Sequence, residues 1–191
     1  MHAHPDPESY STALREAALR GLERGGHQVQ VVDLYAEEFA AAMSTEERRA
    51  YEQDEPELGP TIQGHAALLR NADALVFVYP TWWFGLPAIL KGWFERVFVP
   101  GVAFHLDPST NKVKPGLRHI TRLVGITTSG SAQWQVRLLG DTGRWTITRV
   151  TRVLAHWRCR TTWLALGRLD GRSEEDRMAF LSEVEQKMAA L

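Results

Sequence analysis

The sequence predicts an α/β fold, a doubly wound parallel sheet of five strands in the order 2-1-3-4-5 with helices on both faces. Three observations carry this. Segments of strand and helix periodicity alternate along the chain as β-α-β-α-β-α-β-α. Ala74-Leu75-Val76-Phe77-Val78-Tyr79 is an unbroken apolar run, as expected of a strand covered on both faces. Hydroxyl-bearing and turn-forming residues follow the strand ends, where such sheets seat their ligands. The 191 residues fit one domain spanning 1–191, with no internal repeat or low-complexity linker.

The elements follow in order. Ser9 to Arg24 sets Tyr10, Leu14, Ala17, Ala18, Gly21 and Leu22 on one helical face, and Gly25-Gly26 stops it. Gln28 to Leu34 alternates as a strand with Val29 and Val31 on one side. Ser44-Thr45-Glu46-Glu47 is a capping box opening a short helix. The helix ends before the acidic, Pro-containing stretch Asp54 to Pro60, and Thr61 to Asn71 forms the next one. Pro80 closes the apolar strand, and Pro87 starts a helix running through Ile89, Trp93 and Val97. Turn signals at Asp107-Pro108, Asn111 and Pro115-Gly116 make 102–118 an excursion. Arg122 to Thr127 is a strand, Trp145 to Trp157 a helix and Arg160 to Leu166 the last strand. A terminal helix capped at Ser173 to Asp176 carries the stripe Met178, Leu181, Val184, Met188 and Leu191.

One element is short. Only Met1 to His4 is available for the first strand, against the usual five or six residues. The expectation is that four or five residues are lost upstream through a wrongly assigned start. The 191-residue form is then expected to be poorly stable and poor in bound ligand, and an added apolar strand ahead of His2 should raise both stability and ligand occupancy.

Net charge is −1, but residues 1–60 hold 13 acids against 5 bases and residues 101–172 hold 12 bases against 3 acids. The basic block has no Lys/Arg run and no recognition motif, so it reads as a solvated or dimer-facing surface and not a nucleic-acid site. No apolar stretch reaches bilayer-spanning length and no signal peptide is visible, giving a cytoplasmic expectation. His2, His27, His65, His105, His119 and His156 lack ligand spacing, so no metal is assigned, and the single cysteine, Cys159, reads as a packed thiol.

Three segments fall after strand ends. His4 to Ser11 leads into a helix N-terminus, an anion seat with the hydroxyls of Ser9 and Ser11. Pro80-Thr81-Trp82-Trp83-Phe84-Gly85 is an aromatic wall with backbone donors. Thr127-Thr128-Ser129-Gly130-Ser131 is a small hydroxyl-rich turn that lets a flat ring approach the backbone. Taken singly, these are a helix cap, packing aromatics and an ordinary loop. Together they describe a flavin nucleotide site.

His4-Pro5-Asp6-Pro7-Glu8-Ser9-Tyr10-Ser11-Thr12-Ala13-Leu14 resembles the opening motif of the NAD(P)H:quinone oxidoreductases, the DT-diaphorase-like flavoproteins of flavodoxin-like fold. The stretch from Tyr79 through Trp82-Trp83-Phe84-Gly85 to Phe98 resembles that family's longest signature, and Ile126-Thr127-Thr128-Ser129-Gly130 its "TTGG" turn. The resemblance implies a homodimer with FAD, or FMN, near the subunit interface and NAD(P)H as co-substrate. It puts His4, Ser9, Tyr10 and Ser11 around the phosphates and ribityl chain, and counts Pro80, Thr81 and Trp82 among the cofactor-binding residues. Trp83 and Phe84 would wall the ring and approach O4 and N5 through their N–H groups. Thr127, Thr128, Ser129 and Gly130 would border the ribityl chain and pyrimidine end.

Four departures stand out. Ser11 replaces the family's Asn, and Ser129 replaces the first Gly of the turn. Gln135 and Leu139 stand where well-studied members carry a Tyr and a His near the N1/O2 edge. Gln135 can donate a hydrogen bond but relays no proton, and Leu139 cannot stabilise negative charge. Lys112, Lys114, Arg118 and Arg122 could receive a 2′-phosphate or be plain surface charge. The expected activity is hydride transfer through flavin N5 to quinone-like acceptors, with Trp83, Phe84 and Gln135 closest to the chemistry and the two substrates alternating at one place. The other reading is a non-catalytic electron carrier, or an ancillary flavoprotein of a cation-efflux system. Anaerobic NAD(P)H titration separates the two.

Overall fold

The computed structural model describes residues 1–51, 56–107, 109–110 and 112–191. Asp54 of the acidic stretch, and Pro108 and Asn111 of the turn signals, lie outside the described residues.

The chain begins with the segment Met1–His4 and then α1 (Tyr10–Arg24), whose N-cap is Ser9, its hydroxyl accepting from the Thr12 N–H. Helix α2 (Thr45–Ala50) carries the expected capping box, in which Ser44 and Glu47 satisfy each other's backbone N–H groups. Helix α3 (Pro60–Asn71) leads to β1 (Ala74–Pro80) and then to α4 (Ala88–Val97), for which Pro87 is the N-cap. The excursion is a small antiparallel pair, β2 (Phe104–Leu106) with β3 (Val113–Pro115). Strand β4 (Arg122–Ser129) is followed by α5 (Gln133–Leu138). Next comes a helical run of α6 (Thr142–Trp145), a π-helical segment (Thr146–Val150) and α7 (Thr151–Leu154). Strand β5 (Arg160–Gly167) and α8 (Glu174–Ala189) complete the fold.

β1, β4 and β5 form a parallel ladder in which β4 is central. Gly125 sits in the middle of β4 because the Trp163 ring fills the space its Cβ would take, 2.1 Å from the nearest ring atom. On the other side of β1, His2 bridges in parallel to Val78 and to Asp33. These bridges set His2 between Asp33 and Val78. Two of the five expected strands are nevertheless present only as single bridges among the described residues. A strand needs a partner backbone along its length, and Met1–His4 offers Gln28–Leu34 a partner only near Asp33.

Two apolar layers sandwich the sheet. One joins Phe77, Trp93, Phe94, Leu123 and Ile147, and the other joins Leu14, Ala18, Ile126, Leu164 and Val184. Three expected details are corrected. In the 28–34 segment Val32 and Leu34 are buried while Val31 is about half exposed. In α8 Phe180 is buried and Met178 exposed, so the stripe is shifted. The helix expected at 145–157 begins at Thr142 and ends at Leu154. Asp141 caps it by accepting from the Arg144 N–H. No described helix is long and apolar enough to cross a membrane.

Candidate active site

The loops after Met1–His4, β1 and β4 meet at one edge of the sheet. Thr81 donates its N–H to the Thr128 carbonyl at 2.7 Å, and the Thr81 and Thr127 hydroxyls are 2.8 Å apart, so the second and third segments are stitched together. The His4 and Trp82 rings lie 5.8 Å apart, bringing in the first segment. His4 Nδ1 also receives the Asp6 N–H at 3.0 Å, which fixes the turn of the first loop.

Trp82-Trp83-Phe84-Gly85 is a tight turn. Trp82 and Gly85 exchange N–H to carbonyl bonds of 3.2 and 3.0 Å, and the two central residues both have positive φ, +48° at Trp83 and +59° at Phe84. Turns of this kind normally take Asn or Gly at the centre. Two aromatic residues there store backbone strain, and the geometry leaves their N–H groups outside the turn's own bonds. Trp83 is 98% exposed. Thr142 holds the turn, giving both its N–H (3.3 Å) and its hydroxyl (3.2 Å) to the Phe84 carbonyl. A Cβ at Gly85 would meet the Thr142 hydroxyl at 2.7 Å.

Thr127, Thr128 and Ser129 are buried at the end of β4, and Gly130 is exposed. Ser129 donates its hydroxyl to the Ser131 carbonyl at 2.8 Å and accepts from the Gln133 amide at 3.2 Å, so it shapes the turn from within. Ser9 is occupied as the α1 cap. The Tyr10 hydroxyl donates to the Arg177 carbonyl at 2.7 Å and is pushed up to about 12 by burial, which makes it a pin to the start of α8. Ser11 differs from both. Its hydroxyl is buried in the first turn of α1 with no hydrogen-bond partner among the described residues. An orphaned hydroxyl at a helix N-terminus fits an anionic ligand group, so the residues present fit a flavin phosphate.

The Gln135 carboxamide oxygen accepts the Ala132 N–H at 3.0 Å and so caps α5. Gln135 and Leu139 are both exposed, with Leu139 at the C-terminal end of α5.

Two residues behind the turn carry roles that pattern reading missed. Asp141 is buried, has φ +36°, and is raised in pKa by burial against the opposing Arg144 N–H and the charges of Arg144 and Arg137. Tyr79 is also raised, by burial and then by Asp141, and its hydroxyl has no partner among the described residues. Gly143 is what admits that hydroxyl, since a Cβ there would lie 2.6 Å from it. The sequence signal was the Gly140-Asp141 turn pair, which marks a break but not burial.

The chain is 35% identical to NAD(P)H dehydrogenase [quinone] 1 of Cavia porcellus over 144 residues, covering 68% of this chain and 52% of that protein. The chain thus spans about half the length of the curated relatives it matches first. Among solved structures, the NAD(P)H:quinone oxidoreductase from Methanothermobacter marburgensis is similar at a TM-score of 0.82 and 26% identity, covering 98% of this chain and 92% of that one. Smu.1420 from Streptococcus mutans UA159 is similar over 100% of both chains, with TM-score 0.84 and 25% identity. The resemblance read from the motifs is borne out by these relatives. Over residues 1–191 the sequence matches the flavodoxin-like fold family, to which this chain belongs.

Proposed function

We propose that the chain is an NAD(P)H-dependent flavin oxidoreductase reducing quinone-like acceptors, and that it works as a homodimer. The observation that carries this is the strained turn at Trp83 and Phe84, tied by Thr81 to the buried Thr127–Ser129 end and placed beside the α1 N-terminus. Ser11 and the α1 N–H groups would hold phosphate, and Thr127, Thr128 and Gly130 the ribityl and pyrimidine side. Trp83 and Phe84 would hold the ring. A bound flavin supplies hydride exchange at N5 and a two-electron store. The chain's part is to orient the ring, exclude water with the two aromatics, and offer main-chain donors where charge develops. Gln135, fixed by its cap to Ala132, presents its amide nitrogen as a donor. FAD is the proposed form. A mass spectrum of the flavin released on denaturation distinguishes it from FMN.

Support for the dimer lies in residues 134–157. Trp134, Leu138, Leu139, Trp145, Val153 and Trp157 are each 60–76% exposed, an apolar set that a single chain leaves in water. This stretch adjoins the site, since Thr142 holds Phe84. Sedimentation should report two copies. Steady-state rates with NAD(P)H and a quinone varied together should give parallel double-reciprocal lines. Intersecting lines would remove the alternation of substrates at one place.

A further inference from the structure

The Trp82–Gly85 turn is tied in two ways. Trp82 and Gly85 bond to each other, which closes the turn but leaves its tilt against the sheet undetermined. The tilt is set from outside. Among the described residues, both hydrogen bonds that reach the turn from another element come from Thr142, whose N–H (3.3 Å) and hydroxyl (3.2 Å) converge on the Phe84 carbonyl. The Phe84–Gly85 peptide is thereby held at both ends, since its N–H goes to the Trp82 carbonyl at 3.0 Å. The peptide joining Trp83 to Phe84 keeps its N–H outside these bonds, between φ values of +48° and +59°.

Thr142 stands on a fixed base. It is the first residue of α6, so its N–H has no acceptor within the helix and is spent on Phe84. Asp141 before it is buried, with φ +36°, its N–H donated to the Val136 carbonyl (3.0 Å) and its carboxylate accepting the Arg144 N–H (3.2 Å). Gly143 after it lies against β1, where a Cβ would come within 2.6 Å of the Tyr79 hydroxyl. Gly85 completes the approach from the other side, because a Cβ there would meet the Thr142 hydroxyl at 2.7 Å. Thr142 itself is exposed. A hydrogen bond at an exposed position adds little to folding stability, so this paired grip serves the geometry of the turn more than the fold.

We infer that Thr142 is a positioning residue, which through the Phe84 carbonyl sets the angle at which Trp83 and Phe84 present their rings and N–H groups to the flavin. The inference rests on the flavin reading above and adds to it a residue outside the three segments that form the site. Main-chain donors stabilise negative charge only when they are aimed where it develops. Reduction places that charge on the flavin ring, so a turn that loses its aim weakens the hold on reduced flavin more than on oxidised flavin.

The test compares Thr142→Val, which removes the hydroxyl at nearly constant shape, with Thr142→Ser, which keeps it. Both should melt within about 2 °C of the native chain. In equilibrium dialysis with FAD and with FMN, Thr142→Val should raise the dissociation constant of oxidised flavin about threefold and that of reduced flavin about thirtyfold. The tenfold difference is a two-electron midpoint potential lowered by about 30 mV. Thr142→Ser should stay within about twofold of the native chain on each constant. In the flavin-free chain, amide exchange at residue 142 should run about fivefold faster in Thr142→Val. Native affinity and potential in Thr142→Val would overturn the inference and leave the flavin reading in place, as would Thr142→Ser failing just as Thr142→Val does. A Thr142→Val chain that melts far lower would make the role a structural one and overturn it too. A native chain that takes up neither flavin would sink the reading beneath it, and the exchange rates would still decide whether Thr142 holds the turn.

Discussion

Between β1 and β5 the sheet is paired from end to end, Ala74 to Pro80 against Arg122 to Thr128 and Arg122 to Ser129 against Arg160 to Gly167. Across β1 the same sheet hangs on His2, with a cleft where the pairing stops. The contrast follows from what each strand is offered as a partner, since apolar content is similar on the two sides. β4 has complete neighbours on both sides, so its burial and its hydrogen bonds agree. The 28–34 segment has β-branched residues but little backbone to pair with, and Val31 stays half exposed. The candidate site draws mainly on the well-paired side. Two of its loops leave the rigid ends of β1 and β4, which is where a strained turn can be held.

The largest expected difference comes from matched truncations. Ile126→Ala, at a fully buried position in β4, should cost about 2–5 kcal/mol. Val31→Ala should change stability by no more than about 0.5 kcal/mol. Denaturant melts of the two variants compare the halves directly, and similar losses would erase the distinction.

Next in size is a pH effect confined to the thin side. Burial holds the Met1 amine down to about 6, against the opposing pull of Asp33 and Glu37. His2 is lowered too, by burial and despite its bond to Asp33. Between pH 8 and 6 the unfolded chain binds a proton at the amine that the folded chain does not. Stability should therefore fall as pH drops through that window, by about 2–3 kcal/mol for the amine. His2 should add to the loss below its ordinary value. Acetylating the amino terminus should flatten the slope between pH 8 and 6, as read from melts at pH 6, 7 and 8.

On the well-paired side, Trp83→Gly removes a bulky residue from the left-handed region and should stabilise the chain by about 1 kcal/mol. The same change should lower flavin retention in equilibrium dialysis, because the exposed indole is the proposed wall of the ring. A smaller effect is expected of Tyr79→Phe. Deleting a buried hydroxyl that lacks a partner should be neutral or stabilising by up to about 1 kcal/mol, visible as an unchanged or raised Tm.

Much of this was legible in the residues. Ser9 and the Ser44–Glu47 box announced their helices because caps are local chemistry, and β1 announced itself through unbroken apolarity. The three segments of the candidate site were readable because each directly follows its strand or strand segment. What was not legible depends on tertiary partners. Gln28–Leu34 has strand periodicity, yet pairing needs a neighbour. The helix start at Thr142 depends on Asp141 adopting a left-handed conformation as its cap. The Thr142 grip on Phe84, across 58 residues of sequence, has no local signature. Ser9 and Tyr10 were expected to face a ligand, but their hydroxyls are engaged by Thr12 and Arg177, leaving Ser11 as the hydroxyl without a partner.

The central claim, that this edge of the sheet holds a flavin that NAD(P)H reduces directly, is tested most directly by anaerobic titration of the flavin-loaded protein. Stepwise NAD(P)H should bleach the visible flavin band to completion with about one equivalent per site, consistent with two-electron hydride transfer, and a quinone added afterwards should restore it. A band that persists through excess NAD(P)H and bleaches only when a separate reductase is supplied would contradict the claim and make the chain an electron carrier.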